Sequence, residues 1–315
     1  MQGGQNLNMN ENPKVSIIIS SYNSIEALKE CLAALQNQTY LVHEVIVVDA
    51  ASTDGTTDIL KNQFPWVNLL ACKTRVGIGD AINQGINIAT GDYIVFDLNC
   101  DDLVTPTWLE RLVEVMEKHP EIGVVCGKRY YGTPTQYSGT PRLDSCGGRM
   151  LFGIAVPYGH KKTDGPSYES LKEVQYTAVA MTRREVLAKV GPLDEDFFIY
   201  GEDVDFSLRV RKAGYKVYVE PKALFWHQRS ATVGEVSPTR LYYLSRSRVR
   251  LIMKHYGLLK RLLYITAYII AGTFVYPTCY SYIGRQSPIP LLKAHYKGVL
   301  WNFWGSRNPA ANLRQ

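Results

Sequence analysis

The segments VSIIISSYN (Val15–Asn23) and VIVVDAASTDGT (Val45–Thr56) decide how the rest of the chain reads. Each is a mostly β-branched run that stops at small polar residues: Ser20, Ser21, Tyr22 and Asn23 in the first, Asp49, Ser52, Thr53, Asp54 and Gly55 in the second. A continuous apolar run suits a strand covered on both faces, as in a parallel sheet, and open sheets of that kind hold ligands beyond the carboxyl ends of their strands. Both polar clusters are therefore expected on one edge. A third run, Tyr93 to Phe96, leads into Asp97, Leu98, Asn99, Cys100, Asp101 and Asp102. If that backbone stays extended, Asp97, Asn99 and Asp101 face one side, and oxygen ligands so spaced suit Mg²⁺ or Mn²⁺ carrying a diphosphate.

Outward from these runs, strands are expected at Val15 to Ser20, Glu44 to Asp49, Val67 to Cys72, Tyr93 to Leu98 and Ile122 to Gly127. Between them Leu28, Cys31, Leu32 and Leu35, and again Leu109, Leu112, Val113 and Met116, recur at helical spacing. Strands alternating with amphipathic helices give an α/β, doubly wound, mostly parallel sheet. From Tyr130 to Tyr168 the chain is rich in Gly, Pro, Tyr and Ser without clear periodicity, which reads as a mobile region on the acceptor side. Further on, Gly201, Glu202, Asp203, Val204, Asp205 and Phe206 put carboxylates at a helix start, and His227 ends the following strand. That is a base beside a metal ligand if the two meet, and ordinary capping chemistry if they do not.

These segments, with GIGDAINQGINIATGDYIVF from Gly77 and FFIYGEDVDFSLRVRKAGYKV from Phe197, resemble family 2 glycosyltransferases of the GT-A fold, and most of all their rhamnosyltransferase-like members. The resemblance covers roughly Lys14 to Thr232, and its strength is several spaced motifs in the right order. It implies roles for individual residues. Asp49 matches the aspartate that reads the nucleotide base, while Ser21, Tyr22, Asp80 and Asn83 match the nucleoside pocket. Asn99 and Asp101 match the ends of the family's DxD metal motif, with Asn99 departing from it by offering a neutral oxygen, so that Asp97 or Asp102 would have to compensate. Asp203 matches the catalytic base of an inverting transfer, Glu202 a group that orients acceptor or base, and His227 a histidine at the metal or diphosphate. A divalent Mg or Mn cation is the implied cofactor, and a dTDP or UDP sugar the implied donor.

Charge divides the chain. Twelve of its 35 basic residues and none of its 29 acidic ones follow Glu235, which leaves 23 basic against 29 acidic before it. The basic end encloses an apolar stretch, Leu262 to Ile283, of about bilayer-spanning length but interrupted by Gly272 and Pro277, and ends in Trp301, Phe303 and Trp304. Residues 14–235 are thus read as the catalytic domain and 236–315 as a helical, membrane-associating extension. The expected location is the cytoplasmic face of the cell membrane, peripheral or through one re-entrant or spanning segment. An anionic membrane surface and a lipid-linked or other glycan acceptor are the implied partners. A buried hairpin or a homo-oligomer contact is the competing account of the stretch, and no nucleic-acid motif accompanies the arginines.

Residues 1–13 are polar and Asn-rich, lack a signal-peptide pattern, and read as a frayed tail. The six cysteines show no paired metal spacing and read as reduced thiols. Two other functions compete on these residues. A sugar nucleotidyltransferase would need a Gly-rich basic loop where Ser20 to Ser24 stand, and a non-catalytic, membrane-tethered scaffold would need none of the acidic residues.

Overall fold

The apolar runs become the middle of a large sheet. The computed structural model describes residues 12–136, 139–228, 237–275, 278 and 287–305, so most of the expected tail lies outside the described residues. In the first half, β1 (Val15–Ser21), α1 (Ile25–Gln36), β2 (Glu44–Asp49), α2 (Thr56–Gln63), β3 (Val67–Ala71), α3 (Ile78–Ile88) and β4 (Tyr93–Asn99) alternate strictly. The strands pair in parallel in the order β3–β2–β1–β4. Alternate residues of one strand feed opposite cores. Ile17 and Ile19 pack against α1 with Leu28, Cys31 and Leu32, whereas Ile18 packs against α3 with Ala81 and Ile82. This is why the run is continuously apolar from Ile17 to Ile19, with buried Ser16 giving its hydroxyl to Glu44.

The second half mixes directions. β5 (Asp102–Val104), α4 (Trp108–Lys118) and β6 (Ile122–Tyr131) precede two short strands, β7 (Leu143–Ser145) and β8 (Gly148–Leu151), the latter forming a hairpin with β9 (Ile154–Pro157). Then come β10 (Lys172–Val174), β11 (Ala180–Arg183), α5 (Arg184–Val190), α6 (Glu202–Lys212) and β12 (Lys216–His227). β11 lies antiparallel between β4 and β6, and β12 runs parallel to β6. The stretch expected to be mobile is therefore built largely of short strands, paired to β6 and to each other.

Among the described residues, β12 is followed by the helices α7 (Pro238–His255), α8 (Leu258–Phe274) and α9 (Pro288–Trp304). α7 and α9 both start in the same way, a serine whose hydroxyl accepts a backbone N–H (Ser237 from Arg240, Ser287 from Ile289) followed by proline in the first turn. α9 lies so close on α7 that a Cβ on Gly298 would stand 2.3 Å from the Tyr242 carbonyl oxygen. Among the described residues no helix is long and apolar enough to cross a membrane. α8 ends at Phe274, and most of the remaining part of the Leu262 to Ile283 stretch lies outside the described residues.

Candidate active site

At β1 the strand order reverses, and polar loops from both sides of that point meet beyond the carboxyl ends. On the β2 side, buried Asp49 accepts the Ser52 N–H (3.2 Å) and the Thr57 hydroxyl (3.0 Å). Asp54 ties the starts of α1 and α2 together, accepting the N–H groups of Ile25 (3.1 Å) and Thr56 (3.2 Å). Burial raises its pKa and these bonds, with the Thr56 hydroxyl, bring it below the usual carboxylate range. Ser21 presents a buried hydroxyl without a hydrogen-bond partner, and the Arg75 guanidinium sits 4.2 Å from the centre of the Tyr22 ring. The Cys72 thiol is pushed up by burial and then by Asp80 and Asp49. Asn83 is spent otherwise. Its amide donates to the Leu193 carbonyl and to Glu195 (3.0 Å each) and its oxygen accepts the Leu193 N–H (2.9 Å), so it fastens α3 to the segment before α6.

On the β4 side the extended backbone does not persist. Asp97 has φ 63°, and the β1–β4 register slips between Ile17 and Ile19, so Asp97, Asn99 and Asp101 do not keep the alternation expected of them. The chain turns at once into β5, where Asp102 pairs with His227 on β12. His227 Nδ1 lies 2.9 Å from Asp102 and 3.5 Å from Asp101, and ligand atoms of Asp101, Asp102 and His227 all fall within 4.8 Å of one another. Asn99 adjoins this group through its N–H, donated to Asp102 (2.9 Å).

The third part comes from the start of α6, where Tyr200 (φ 69°) and Gly201 (φ 95°) both take the left-handed conformation and turn the chain sharply into Glu202 and Asp203. Asp203 Oδ1 accepts the Val204 N–H (2.8 Å). Loss of solvent lifts its pKa to about 6 despite that bond and the charge of Arg129. Buried Glu202 is pushed up to about 8 by desolvation and then by Asp203, and its Oε2 has no partner. Asp97 is raised too, by burial and then by Glu202 and Asp203. Arg129 on β6, paired with Asp144 at 2.9 Å, is the cation that both Asp102 and Asp203 act on. The two halves of the site therefore share one electrostatic neighbourhood.

The model of glycosyl transferase family 2 matches residues 16–191. The chain belongs to that family. Family 2 membership makes it a glycosyltransferase and answers the nucleotidyltransferase reading. EpsE of Bacillus subtilis, named as a glycosyltransferase, is 31% identical over 69% of this chain and 73% of its own length. The glycosyltransferase AglE of Haloferax volcanii is 27% identical over 94% of this chain and 93% of its own. Against several other curated relatives the match spans less than two thirds of the relative's length. Among solved structures, the mannosyltransferase PcManGT of Pyrobaculum calidifontis, in complex with GDP-Man and Mn²⁺, aligns over 95% of this chain and 89% of that one with a TM-score of 0.54 at 16% identity. This likeness shows the GT-A architecture.

Two hard carboxylates and an imidazole, all buried or nearly so, are a donor set that fits Mn²⁺ or Mg²⁺. Beside this group, burial and then neighbouring carboxylates raise Asp97 and Glu202, so both favour their neutral forms. Sequence reasoning named Asn99, Asp101 and His227 and kept Asp97 or Asp102 in reserve; the group brings Asp101, Asp102 and His227 together, and Asn99 adjoins it through its backbone N–H. That reasoning missed Arg129, Arg75 and the role of α7. From α7, Arg250 reaches Asp194 and Asp196 (2.7 Å each), Lys254 reaches Asp194 (2.5 Å) and Asp205 (2.8 Å), and His255 Nε2 donates to Asp205 at 2.8 Å. These three pair with Asp194, Asp196 and Asp205, so part of the basic end packs on acidic residues before and within α6.

Proposed function

We propose that this family 2 member is a metal-dependent, inverting enzyme that moves a sugar from a nucleoside diphosphate sugar, of dTDP or UDP type, to a hydroxyl of a lipid-linked or cell-surface glycan. The observation that carries this reading is the pairing of a raised carboxyl, Asp203, with the Asp101, Asp102 and His227 group around a shared Arg129. Asp101, Asp102 and His227 would hold the cation. When bound, the cation supplies charge that stabilises the departing diphosphate. Ser21, Tyr22, Asp49, Asp80 and Asn99 line the donor side, with Asn83 holding α3 in place behind them. Asp203 takes the proton from the acceptor hydroxyl as that oxygen attacks the anomeric carbon, opposite the leaving group, which inverts the centre. Glu202, largely protonated at neutral pH, can donate a hydrogen bond to the acceptor or to Asp203.

Residues 14–235 are proposed as the transferase unit and 236–315 as the part that brings it to an anionic membrane at the cytoplasmic face. The test is a panel of nucleotide sugars assayed for nucleoside diphosphate release with and without Mn²⁺. Release from one or a few donors that stops in excess chelator is expected. Full activity in chelator removes the cation from the mechanism, and silence across the panel removes the catalytic reading.

A further inference from the structure

α8 carries apolar residues on both of its sides. Tyr268 and Gly272 are buried against α7 and α9, as expected of a packed helix. Yet Leu259, Leu263, Ala267, Ile270 and Phe274 follow one another at steps of three and four on the opposite side, all exposed, with Leu259 at 82% and Phe274 at 71%. α9 repeats the arrangement with Ile289, Tyr296, Leu300, Phe303 and Trp304, and places exposed Lys293 and Lys297 on the same stripe. The two helices lie side by side, the Thr273 hydroxyl 2.6 Å from that of Tyr296. The β8–β9 hairpin adds exposed Leu151 and Phe152, the Phe152 ring set edge-on to Tyr264 of α8 at 6.1 Å.

We propose that the outer stripes of α8 and α9 are a docking face for an anionic lipid bilayer, on which the protein lies with both helices in the plane of the headgroups. An exposed apolar band of this extent needs an occupant. Charge selects it: no acidic residue follows Glu235, so two copies meeting through this face would set Lys260, Lys293 and Lys297 against their like, whereas anionic headgroups neutralise them. Tyr296, Phe303 and Trp304 are the side chains that favour the boundary between headgroup and acyl chain. Both helices have 17 residues, and the described residues contain no helix fit to span, so insertion is shallow. The inference deepens the proposed reading, on which it rests for the idea that the acceptor is carried by a lipid. Because α7 packs on α9 and also grips Asp194 and Asp205, the docked face and the candidate site belong to one body.

The test is flotation of the full chain with vesicles of phosphatidylcholine alone and of phosphatidylcholine mixed with phosphatidylglycerol, at low and high salt. Binding to the mixed vesicles that weakens with salt is expected. Leu263→Glu with Phe274→Glu should abolish it, and Lys293→Glu with Lys297→Glu should lower it ~10-fold or more on anionic vesicles only. Circular dichroism of each variant and donor hydrolysis without acceptor should remain as in the parent. Absence of flotation by the parent overturns the proposal, as does unchanged flotation of the variants. A dimer in sedimentation that Leu263→Glu dissociates would give the face to a second copy and equally overturn it. Flotation without any donor hydrolysis would leave docking standing and sink the transferase reading alone.

Discussion

Asp203 and Asp205 stand two residues apart on α6 and live under opposite conditions. Asp205 looks toward α7. Burial alone would raise its pKa, but His255, Lys254 and Arg209 outweigh that and hold it well below the usual carboxylate range. Asp203, at the start of the helix, has backbone N–H groups, that of Val204 at 2.8 Å among them, and the charge of Arg129, and these do not outweigh its loss of solvent. One face of the helix is held by Arg209, Lys254 and His255, while the other carries a carboxyl raised by burial. The difference teaches that a proton acceptor is made as much by what anchors the helix behind it as by what surrounds the group itself.

The sharpest way to break this contrast is to attack the clamp. Asp205→Asn leaves Arg209, Lys254 and His255 without their shared anion, and removing one partner of a buried ionic network costs about 3–5 kcal/mol. Urea unfolding should show that loss; a change below about 1 kcal/mol would mean that the clamp is ornamental. On the other face, Asp203→Asn should cut transfer on the order of 10²-fold or more, with donor affinity by calorimetry unchanged. Near-parental turnover would take Asp203 out of the base role.

Titration sharpens the same comparison more gently. Asp203 accepts a proton only when ionised, so kcat/KM, which reports the free protein, should fall about tenfold per pH unit below about 6 and level off above it. A flat profile from pH 5 to 8 would contradict that. The smallest effect concerns Glu202, whose pKa is raised on folding to about 8. The folded chain therefore binds a proton that the unfolded chain has released, and the associated stability, complete below the unfolded value, is lost as pH rises through about 8. Glu202→Gln should match the parent Tm at low pH and exceed it by about 2–4 °C at pH 9. An equal difference at both pH values would show that ionisation is not involved.

Local patterns carried much of the fold into the sequence. β1, β2 and β4 were legible because strands covered on both faces read as continuous apolar runs, Ile17 to Ile19, Val45 to Val48 and Tyr93 to Phe96, and α1 and α4 because one face of each repeats at helical spacing. Asp203 was legible because glycine followed by clustered acids marks a helix start. Asp97 was not: its left-handed φ follows from a register slip between β1 and β4 that no single segment encodes. Nor were Arg129 and the partnership of Asp102 with His227, which come from strands far apart in the chain. The pairing of Arg250 and Lys254 with acidic residues was hidden for a related reason. A basic run looks alike whether it faces lipid or an acidic loop, and only tertiary pairing with Asp194, Asp196 and Asp205 tells the two apart.

The contact between Asp102 and His227 joins residues separated by 125 positions. Closing so long a loop costs entropy that the neighbouring pairings of β1 with β2 and β2 with β3 do not incur. During synthesis the β1–β2–β3 side of the sheet can pair while the chain is still emerging, whereas the group proposed to hold the cation has no third member until β12 has been made. A chain that stops short of Lys216 therefore lacks His227 and the strand that would bring it to Asp102.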